Sequence, residues 1–332
     1  MRARIAGLGV YLPEQTRSTA QTELDLRAAN PTLKLSTGLI HRLTGVESVH
    51  IREEGWQTSD LAVAASRIAL DESPGPIDLV IFAAASQDLI EPATSHIVAA
   101  KLGLDCPVMD VKNACNSVIN AMQVAAALIA AGQYRRVLIA SGEEPSQGVR
   151  WSLRDKEQFI RSFPGYTMSD GGAAVILEAT HDEDAGIVDS HFTAVSRHWS
   201  VGTLPTGGSM NPRGGDDSYF DMDGAGLQAA FLELGPAPVL ALLERNNLGW
   251  DDFDLVAIHQ VALPYLPPIF ERLGVATEKS VVTVADHGNL ASVGLPLQLQ
   301  LARDAGTVGP GSLVLLIGLA GGISLGLMVV RL

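Results

Sequence analysis

The chain has little cysteine, few aromatic residues and a shortage of basic residues. Only Cys106 and Cys115 occur among its 332 residues, and neither lies in a CxxC or Cys/His pattern. We therefore expect no disulfide framework and no bound metal, and a reducing cytoplasm as the location.

Lys and Arg total 23 against 37 Asp and Glu, a net charge of -14. That balance excludes a general nucleic-acid or anionic-membrane binder, because such binding needs clustered cations.

One local cation cluster departs from this acidic balance. It contains Arg150, Arg154, Lys156 and Arg161. A solvated helix face is one interpretation, and a docking patch for an acidic partner or a phosphate is the other.

Long apolar runs are also scarce, apart from residues 312–332. About 20 apolar residues can cross a bilayer, but glycines divide this stretch into LVLLI and LGLMVV. Two buried strands joined by a glycine turn fit it better, so we expect no membrane partner.

Three pieces of the first half recur in the second half in the same order. The paired segments are 77–86 with 253–262, 107–132 with 280–306, and 135–144 with 312–322. Asp78 and Asp254 are 176 residues apart, and Val137 and Val314 are 177 apart, so one long unit is copied once. Each copy alternates strands and helices, which predicts mainly parallel, doubly covered sheets. We expect one half at 1–178 and the other at 179–332.

Cys115 lies on a corner between a strand and a helix in MDVKNACNSVINAMQ. Val118, Met122 and Ile129 recur at helical spacing, Asn116 or Ser117 can cap the helix, and Gly132 ends it. The positive end of a helix favours thiolate over thiol. The corner therefore predicts a nucleophile, and a buried, inert thiol is the alternative. Cys106, in LDCP, is interpreted as structural.

His259 and Asn289 fall at matching places in the second half. His259 ends the apolar run LVAIHQ, and Asn289 stands in DHGNLASVG. Ligand groups gather at the carboxyl ends of strands in α/β sheets, so both are expected near Cys115 in one cleft. A core histidine and a turn asparagine are the alternatives, and His287 competes with His259 for one role. A Cys–His–Asn set can perform acyl transfer from a thioester.

Glycines in GLAGGISLG bring backbone N–H groups close to a neighbour. An oxyanion hole formed by the amides of Gly321 and Cys115 is one interpretation, and a plain strand turn is the other. The early GLGVYLP lacks a third glycine and places Pro13 inside the required helix, so we exclude dinucleotide binding.

Taken in order, these motifs resemble the thiolase superfamily, specifically ketoacyl-acyl-carrier-protein synthase III. The resemblance spans GLGVYLP, TGVESVHI, DVKNAC, SDGGAAVIL, HQV, HGN and GLAGGISLG. It implies a homodimer with a five-layered αβαβα thiolase fold and no cofactor. It also implies that Cys115 accepts the acyl group and that His259 and Asn289 hold the carbonyl of a second thioester. The substrates would be acyl-CoA or acyl carrier protein.

The chain departs from that family pattern in its expected nucleotide contacts. HQVA stands where HQAN is usual, so Ala262 replaces an amide near the pantetheine arm. Leu39 and Leu43 stand where a tryptophan and an arginine hold adenine. Arg42 lies one position away, and Arg161 matches a second nucleotide-contacting arginine. These departures speak against stacking of the adenine and strengthen the case for a donor carried by a protein, with coenzyme A the other possible carrier.

The segment SQDLIEPATSHIVAAKLG, residues 86–103, resembles the olefin-pathway head-to-head condensing enzymes and the α-pyrone ketosynthases. In that subgroup a glutamate at the position of Glu91 enters the neighbouring subunit's site as a base. Such a base suits a reaction without malonyl decarboxylation, because the carbon beside a thioester must then lose a proton. A solvated loop carboxylate is the alternative.

We therefore expect a Claisen condensation of two acyl thioesters through acyl-Cys115, giving a β-keto product. The alternatives are malonyl extension, acyl transfer to oxygen or nitrogen, and a silent acyl-binding partner subunit. The Gly-rich segment 202–224 is expected to shape the entrance to the site.

Overall fold

The computed structural model describes all 332 residues, from Met1 to Leu332. Its strands are β1 (Arg2–Tyr11), β2 (Thr16–Ser18), β3 (Ser48–His50), β4 (Leu79–Ala83), β5 (Val108–Val111), β6 (Arg136–Glu143), β7 (Gly171–Thr180), β8 (Gly186–Ala194), β9 (Gly202–Thr203), β10 (Asp221–Met222), β11 (Leu255–Ile258), β12 (Leu313–Ala320) and β13 (Ser324–Arg331). Its α-helices are α1 (Thr19–Ala29), α2 (Leu39–Thr44), α3 (Thr58–Glu72), α4 (Thr94–Leu102), α5 (Ser117–Ala130), α6 (Lys156–Ser162), α7 (Gly224–Leu234), α8 (Ala237–Arg245), α9 (Leu266–Leu273), α10 (Val284–His287) and α11 (Gly294–Asp304).

Two main sheets carry the fold, with strand orders β1-β7-β6-β4-β5 and β11-β12-β13-β8. The expectation of mainly parallel sheets is wrong in detail. β4 pairs in parallel with β5 and β6, and β11 with β12, whereas the other four pairs are antiparallel. For one of the four the physical reason is local: β12 turns straight back into β13 through a tight hairpin, and neighbours joined that way must be antiparallel.

Five layers stack in the order helix, sheet, helix, sheet, helix. The middle layer is α5 and α11, whose apolar side chains meet the inner faces of both sheets in one shared core. On the outer faces, α3 and α4 cover the first sheet, and α8 and α9 cover the second. This is the expected five-layered αβαβα arrangement.

The duplication is visible in the strands. Each strand of the second sheet has a counterpart in the first: β11 corresponds to β4, β12 to β6, β13 to β7 and β8 to β1. The anticipated boundary at residue 178 falls near the end of β7, and β8 begins the second sheet at Gly186. The shared core joins both halves, so neither buries its inner helix alone.

The C-terminal apolar run forms β12 and β13, which lie inside the second sheet. Backbone pairing on both sides and burial on both faces explain why it carries almost no charge. The helical stretch Gly224–Arg245 has the length and composition of a membrane span, with 22% of its most apolar part buried. It is divided at Gly235 and Pro236 into α7 and α8.

Candidate active site

The corner that carries Cys115 is a tight backbone turn between β5 and α5. Ala114 adopts a left-handed conformation, with φ of 45°. The Ser117 hydroxyl accepts the Asn113 N–H at 2.9 Å and donates to the Ala114 carbonyl at 2.7 Å. These bonds close the turn, so Cys115 stands immediately before the first residues of α5. The helix ends at Ala130, and Gly132 follows with φ of 73°, as predicted.

Asn116 does not cap α5 with its side chain, contrary to one of the two expectations. Its Nδ2 instead donates to the Ser324 hydroxyl at 3.0 Å and to the Ser324 carbonyl at 3.2 Å. Asn116 is fully buried, and its Oδ1 lies where a side chain at Gly318 would begin. The residue beside the cysteine is therefore tied to both strands of the β12–β13 hairpin.

The thiol of Cys115 is harder to ionise than its position at a helix start suggested. Burial, and then the negative charge of Glu143, raise the pKa of Cys115 to about 12. The start of a helix therefore does not by itself make Cys115 a thiolate in this structure, because desolvation favours the neutral thiol. The resting thiol holds its proton at neutral pH, so a nearby base must remove it.

His259 follows β11 and is buried, with 5% of its surface exposed. Its N–H donates to the Ile317 carbonyl of β12 at 2.8 Å. The next residue of β12, Gly318, is the one that faces Asn116. His259 and the Cys115–Asn116 pair thus flank one point of β12, 144 residues apart along the chain.

The chemistry of the His259 ring follows from its surroundings. Nδ1 is fully enclosed and has no hydrogen-bond partner, so Nε2 is the nitrogen that can be reached. Burial lowers the pKa of His259 to about 4, because no compensating negative charge is near. The imidazole is therefore neutral at pH 7 and can accept a proton.

Asn289 is buried beside β7, and its backbone is held on both sides. Its N–H donates to the Thr167 carbonyl at 2.8 Å, and its carbonyl accepts the Ser169 N–H at 2.9 Å. The side-chain Oδ1 accepts the Ala291 N–H at 3.0 Å. Because Oδ1 is engaged within this turn, the amide group Nδ2 remains as a donor for a ligand.

His287, the competing histidine, is held against β3. Its Nδ1 lies 2.9 Å from Nε2 of His50, and the two rings stack. Nδ1 of His50 lies 2.7 Å from the Pro13 carbonyl. Burial and the His50 ring lower the pKa of His287. His287 is therefore engaged with His50, whereas the ring of His259 has no hydrogen-bond partner at Nδ1.

Two backbone N–H groups are free for an oxyanion. Neither the Cys115 nor the Gly321 N–H donates a hydrogen bond to another residue of the protein. Gly321 opens the turn between β12 and β13, next to the carbonyl of Gly202 in β9. An unpaired backbone N–H group of this kind can hold a developing oxyanion.

Glu143 is the residue that sequence reasoning missed. It ends β6 and is 1% exposed, and its charge acts on Cys115. Its Oε1 accepts the Ser292 hydroxyl at 2.6 Å. Ser292 lies 177 residues after Cys115, at the offset that separates Val137 from Val314. The signal available in the sequence was an acidic residue closing an otherwise apolar strand, RVLIASGE.

Glu91 lies on the exposed loop between β4 and α4. It makes no hydrogen bond or ion pair within the chain, and its neighbours Leu89 and Ile90 are 51% and 70% exposed. The contacts of a single chain do not join this loop tip to Cys115. The carboxylate and the two apolar side chains project outward together.

The expected nucleotide contacts are not assembled as a cationic site. Arg161 pairs with Asp221, with Nη2 2.9 Å from Oδ2. Arg42 is exposed and donates to the Ser36 hydroxyl at 3.2 Å, while Ala262 is buried. The adjoining surface is apolar, with Leu43, Val261, Leu263 and Tyr265 exposed.

The Gly-rich segment 202–224 supplies acidic partners to the cation cluster. Its ends pair as β9 and β10. Asp221 holds Arg161, and Arg150 contacts Asp216 and covers the Tyr219 ring at 4.5 Å. Arg154 and Lys156 stay exposed. Half of the cluster is therefore neutralised within the chain.

Cys106, the other thiol, packs at the edge of the core under α3 and α4.

Comparison with known proteins places the chain in a family. Residues 109–196 match the model of 3-oxoacyl-acyl-carrier-protein synthase III, and residues 243–332 match that of its C-terminal part. The beta-ketoacyl-acyl-carrier-protein synthases III of Rhodospirillum rubrum and Dinoroseobacter shibae are 32% and 30% identical to it. The first alignment covers 100% of this chain and 99% of the relative, and the second covers 99% of each.

Solved structures share the fold at lower identity. The OleA of Xanthomonas campestris with cerulenin bound aligns with a TM-score of 0.90 at 22% identity, covering 100% of this chain and 97% of that one. The synthase III, FabH, of Xanthomonas oryzae aligns with a TM-score of 0.90 at 23% identity, covering 100% and 99%. The chain has the thiolase fold and belongs to the ketoacyl-acyl-carrier-protein synthase III family of acyl-transferring condensing enzymes.

Proposed function

We propose that the protein joins two acyl thioesters by Claisen condensation through an acyl-Cys115 intermediate, without obligatory loss of CO₂. The product is a β-keto compound of lipid or polyketide-type biosynthesis. One observation carries this proposal: the only carboxylate acting on Cys115 within the chain, Glu143, already accepts four hydrogen bonds. A base for a carbon acid must therefore come from elsewhere, and the exposed Glu91 loop offers one.

Loading of the first acyl group uses Cys115 and His259. Nε2 of the neutral imidazole accepts the thiol proton as sulfur attacks the thioester carbonyl. The N–H groups of Cys115 and Gly321 hold the oxyanion, and the donor thiolate leaves with the proton that His259 passes to it, so the imidazole is neutral again. The raised pKa of the thiol supports this order, because the proton leaves only during attack.

The second thioester is the carbon nucleophile. Its carbonyl oxygen is held by neutral His259, in the tautomer that carries its proton on Nε2, and by Nδ2 of Asn289, which stabilise the enolate. The Glu91 carboxylate of a second copy of the chain removes the proton from the adjacent carbon. That carbon attacks acyl-Cys115 and the carbon–sulfur bond breaks. The Cys115 thiolate takes a proton from water, and Glu91 releases to water the proton that it removed.

A homodimer is part of this proposal, since Glu91 makes no contact with its own site. Leu89 and Ile90 at the loop tip are the side chains that insertion into a second copy would bury. We further propose that no cofactor is required and that the protein works in the cytoplasm. The pairing of Arg161 with Asp221 supports acyl carrier protein, rather than coenzyme A, as donor of at least one acyl group.

Malonyl extension is the second candidate, and membership in the synthase III family favours it. Decarboxylation of a malonyl group creates the carbanion without a base. The two reactions are separated by their products. Condensation of two acyl groups retains every carbon of both, whereas malonyl extension releases CO₂.

The test is incubation of the protein with acyl-CoA and acyl carrier protein thioesters, with and without the malonyl thioester. Intact-protein mass spectrometry follows loading, and product analysis follows condensation. We expect an acyl adduct that is absent from Cys115→Ala, and a β-keto product without malonyl. A product only with malonyl, and with CO₂, would replace the proposal by malonyl extension. Loading without any condensation would favour acyl transfer to oxygen or nitrogen, or a silent subunit.

Glu91→Gln tests the base separately. This variant should load Cys115 at the wild-type rate and lose condensation by about 10²-fold or more, as for removal of a general base. Glu54→Gln changes another exposed carboxylate and is the matched control, expected to condense normally. Full condensation by Glu91→Gln would remove Glu91 from the mechanism.

A further inference from the structure

Glu143 is a buried carboxylate without a cationic partner. No lysine, arginine or histidine lies within ion-pair distance of it. Four donors meet it instead: the N–H groups of Ala85 and Ser86 at 2.9 and 3.1 Å, and the hydroxyls of Ser86 and Ser292 at 3.1 and 2.6 Å. A buried charge is costly unless it is paired or fully hydrogen-bonded, so these bonds hold Glu143 in one orientation.

Three of the four donors belong to the loop that carries Glu91: the N–H groups of Ala85 and Ser86 and the Ser86 hydroxyl. Ala85 and Ser86 follow the end of β4 and begin that loop. The Ser86 hydroxyl also accepts the Glu144 N–H at 2.9 Å, which fastens the loop base to the end of β6 a second time. The direction in which the loop leaves the sheet is therefore set at Glu143.

The other donor belongs to the turn that carries Asn289. Ser292 follows Ala291, whose N–H binds the side chain of Asn289. The hydroxyls of Ser292 and Ser141 lie 3.0 Å apart. With Ser141 donating to Ser292, the single Ser292 hydrogen points to Glu143. The same carboxylate thus fixes the turn that orients the amide of Asn289.

We propose that Glu143 is a positioning residue for the condensation step, clamping the Glu91 loop to the Asn289 turn. The inference rests on the proposed function, in which Glu91 and Asn289 act on the second thioester while Cys115 and His259 load the first. Loss of the clamp should therefore impair bond formation more than acyl loading. Burial raises the pKa of Glu143, and Glu143 when ionised raises the pKa of the Cys115 thiol, which provides an independent measurement.

Glu143→Gln, Ser86→Ala and Ser292→Ala test the clamp. Glutamine keeps the shape of the Glu143 side chain but places an NH₂ group against N–H and O–H donors. Ser86→Ala removes the hydroxyl bond to the Glu91 loop, and Ser292→Ala removes the bond to the Asn289 turn. All three should lower the kcat of condensation about tenfold or more, with acyl loading no slower than one third of the wild-type rate. Equal losses in loading and condensation, or no loss in either, would overturn the proposal. The two alanine variants keep the test valid if Glu143→Gln does not fold.

Alkylation of Cys115 by iodoacetamide gives a readout that needs no condensation. The measurement uses a Cys106→Ala background, so that one thiol reacts. Glu143 is the charged group that faces Cys115, and the neighbouring Glu144 is paired with Arg52. Glu143→Gln should shift the midpoint of the pH dependence of the alkylation rate to lower pH by about one pH unit or more. Ser292→Ala should leave that midpoint within about a few tenths of a pH unit of the wild-type value. An unmoved midpoint in Glu143→Gln would refute an ionised Glu143 beside the thiol, whether or not the protein condenses acyl groups.

Discussion

Ala114 and Ala291 hold the same left-handed backbone conformation at corresponding points of the two halves, with φ of 45° and 49°. They lie 177 residues apart, the offset that also separates Val137 from Val314. Ala114 precedes Cys115, and Ala291 precedes Ser292. The duplicated unit therefore contains a strained corner in each copy, and one copy places a thiol there while the other places a hydroxyl.

Ala114→Val should disrupt the cysteine corner. A β-branched residue is strongly disfavoured in the left-handed region, which costs about 1–2 kcal/mol even for ordinary side chains. We expect the free energy of unfolding to fall by about 2 kcal/mol and the loading rate of Cys115 to fall about tenfold. Denaturant unfolding and intact-protein mass spectrometry measure the two. Ala127→Val, at an exposed position within α5, is the control, and equal behaviour of both variants would contradict strain at Ala114.

Gly318→Ala should displace the residue beside the nucleophile. The added methyl group would overlap Oδ1 of Asn116 and come 2.6 Å from Cδ1 of Ile119. Overpacking of this kind costs about 1–3 kcal/mol, and we expect loss of Cys115 acylation by about 10²-fold, since Asn116 adjoins it. Gly309→Ala, where an added methyl group meets nothing within 4 Å, should acylate normally. Normal acylation by Gly318→Ala would show that this packing does not position Cys115.

His259 should make stability depend on pH. Its pKa is about 4 in the folded protein and about 6.5 when unfolded, so the unfolded chain binds the extra proton first as pH falls. The stability is complete above pH 6.5 and declines as pH falls toward 4. Between pH 7.5 and 5 the loss attributable to His259 is about 2 kcal/mol.

Urea unfolding of the wild type and of His259→Asn at both pH values measures that loss. The variant should show a smaller decrease between pH 7.5 and 5, and the difference between the proteins cancels the other titrating groups. Identical decreases would mean that His259 is not held neutral by burial.

Pairing with Asp221 should keep the Arg161 guanidinium from binding a phosphate of acyl-CoA. Because Asp221 already neutralises the guanidinium, Arg161→Ala should change the KM for an acyl-CoA by less than about threefold, consistent with the low value of exposed ion pairs. Asp221→Asn should free Arg161 and lower that KM about threefold at low ionic strength. Steady-state loading kinetics with acyl-CoA and acyl carrier protein compare the donors. A large increase in KM for Arg161→Ala would contradict that expectation.

Several features of this protein are determined by the sequence alone. The repeated segments predicted two equivalent halves, and the helical spacing after Cys115 predicted α5 and its end near Gly132. Ordered motifs from GLGVYLP to GLAGGISLG identified the thiolase fold and the synthase III family. These features depend on local periodicity and on residues close together in the chain, which is why they can be read without coordinates.

Other features depend on contacts between distant residues, and only the tertiary structure decided them. Burial raised the pKa of Cys115 although it precedes a helix, because desolvation depends on the surrounding side chains and not on position in the chain. Asn116 hydrogen-bonds to Ser324 instead of capping its helix, and His287 contacts His50. The bond between Glu143 and Ser292 joins residues 149 positions apart. No spacing in the sequence predicts that bond, since folding alone brings the end of β6 to the Asn289 turn.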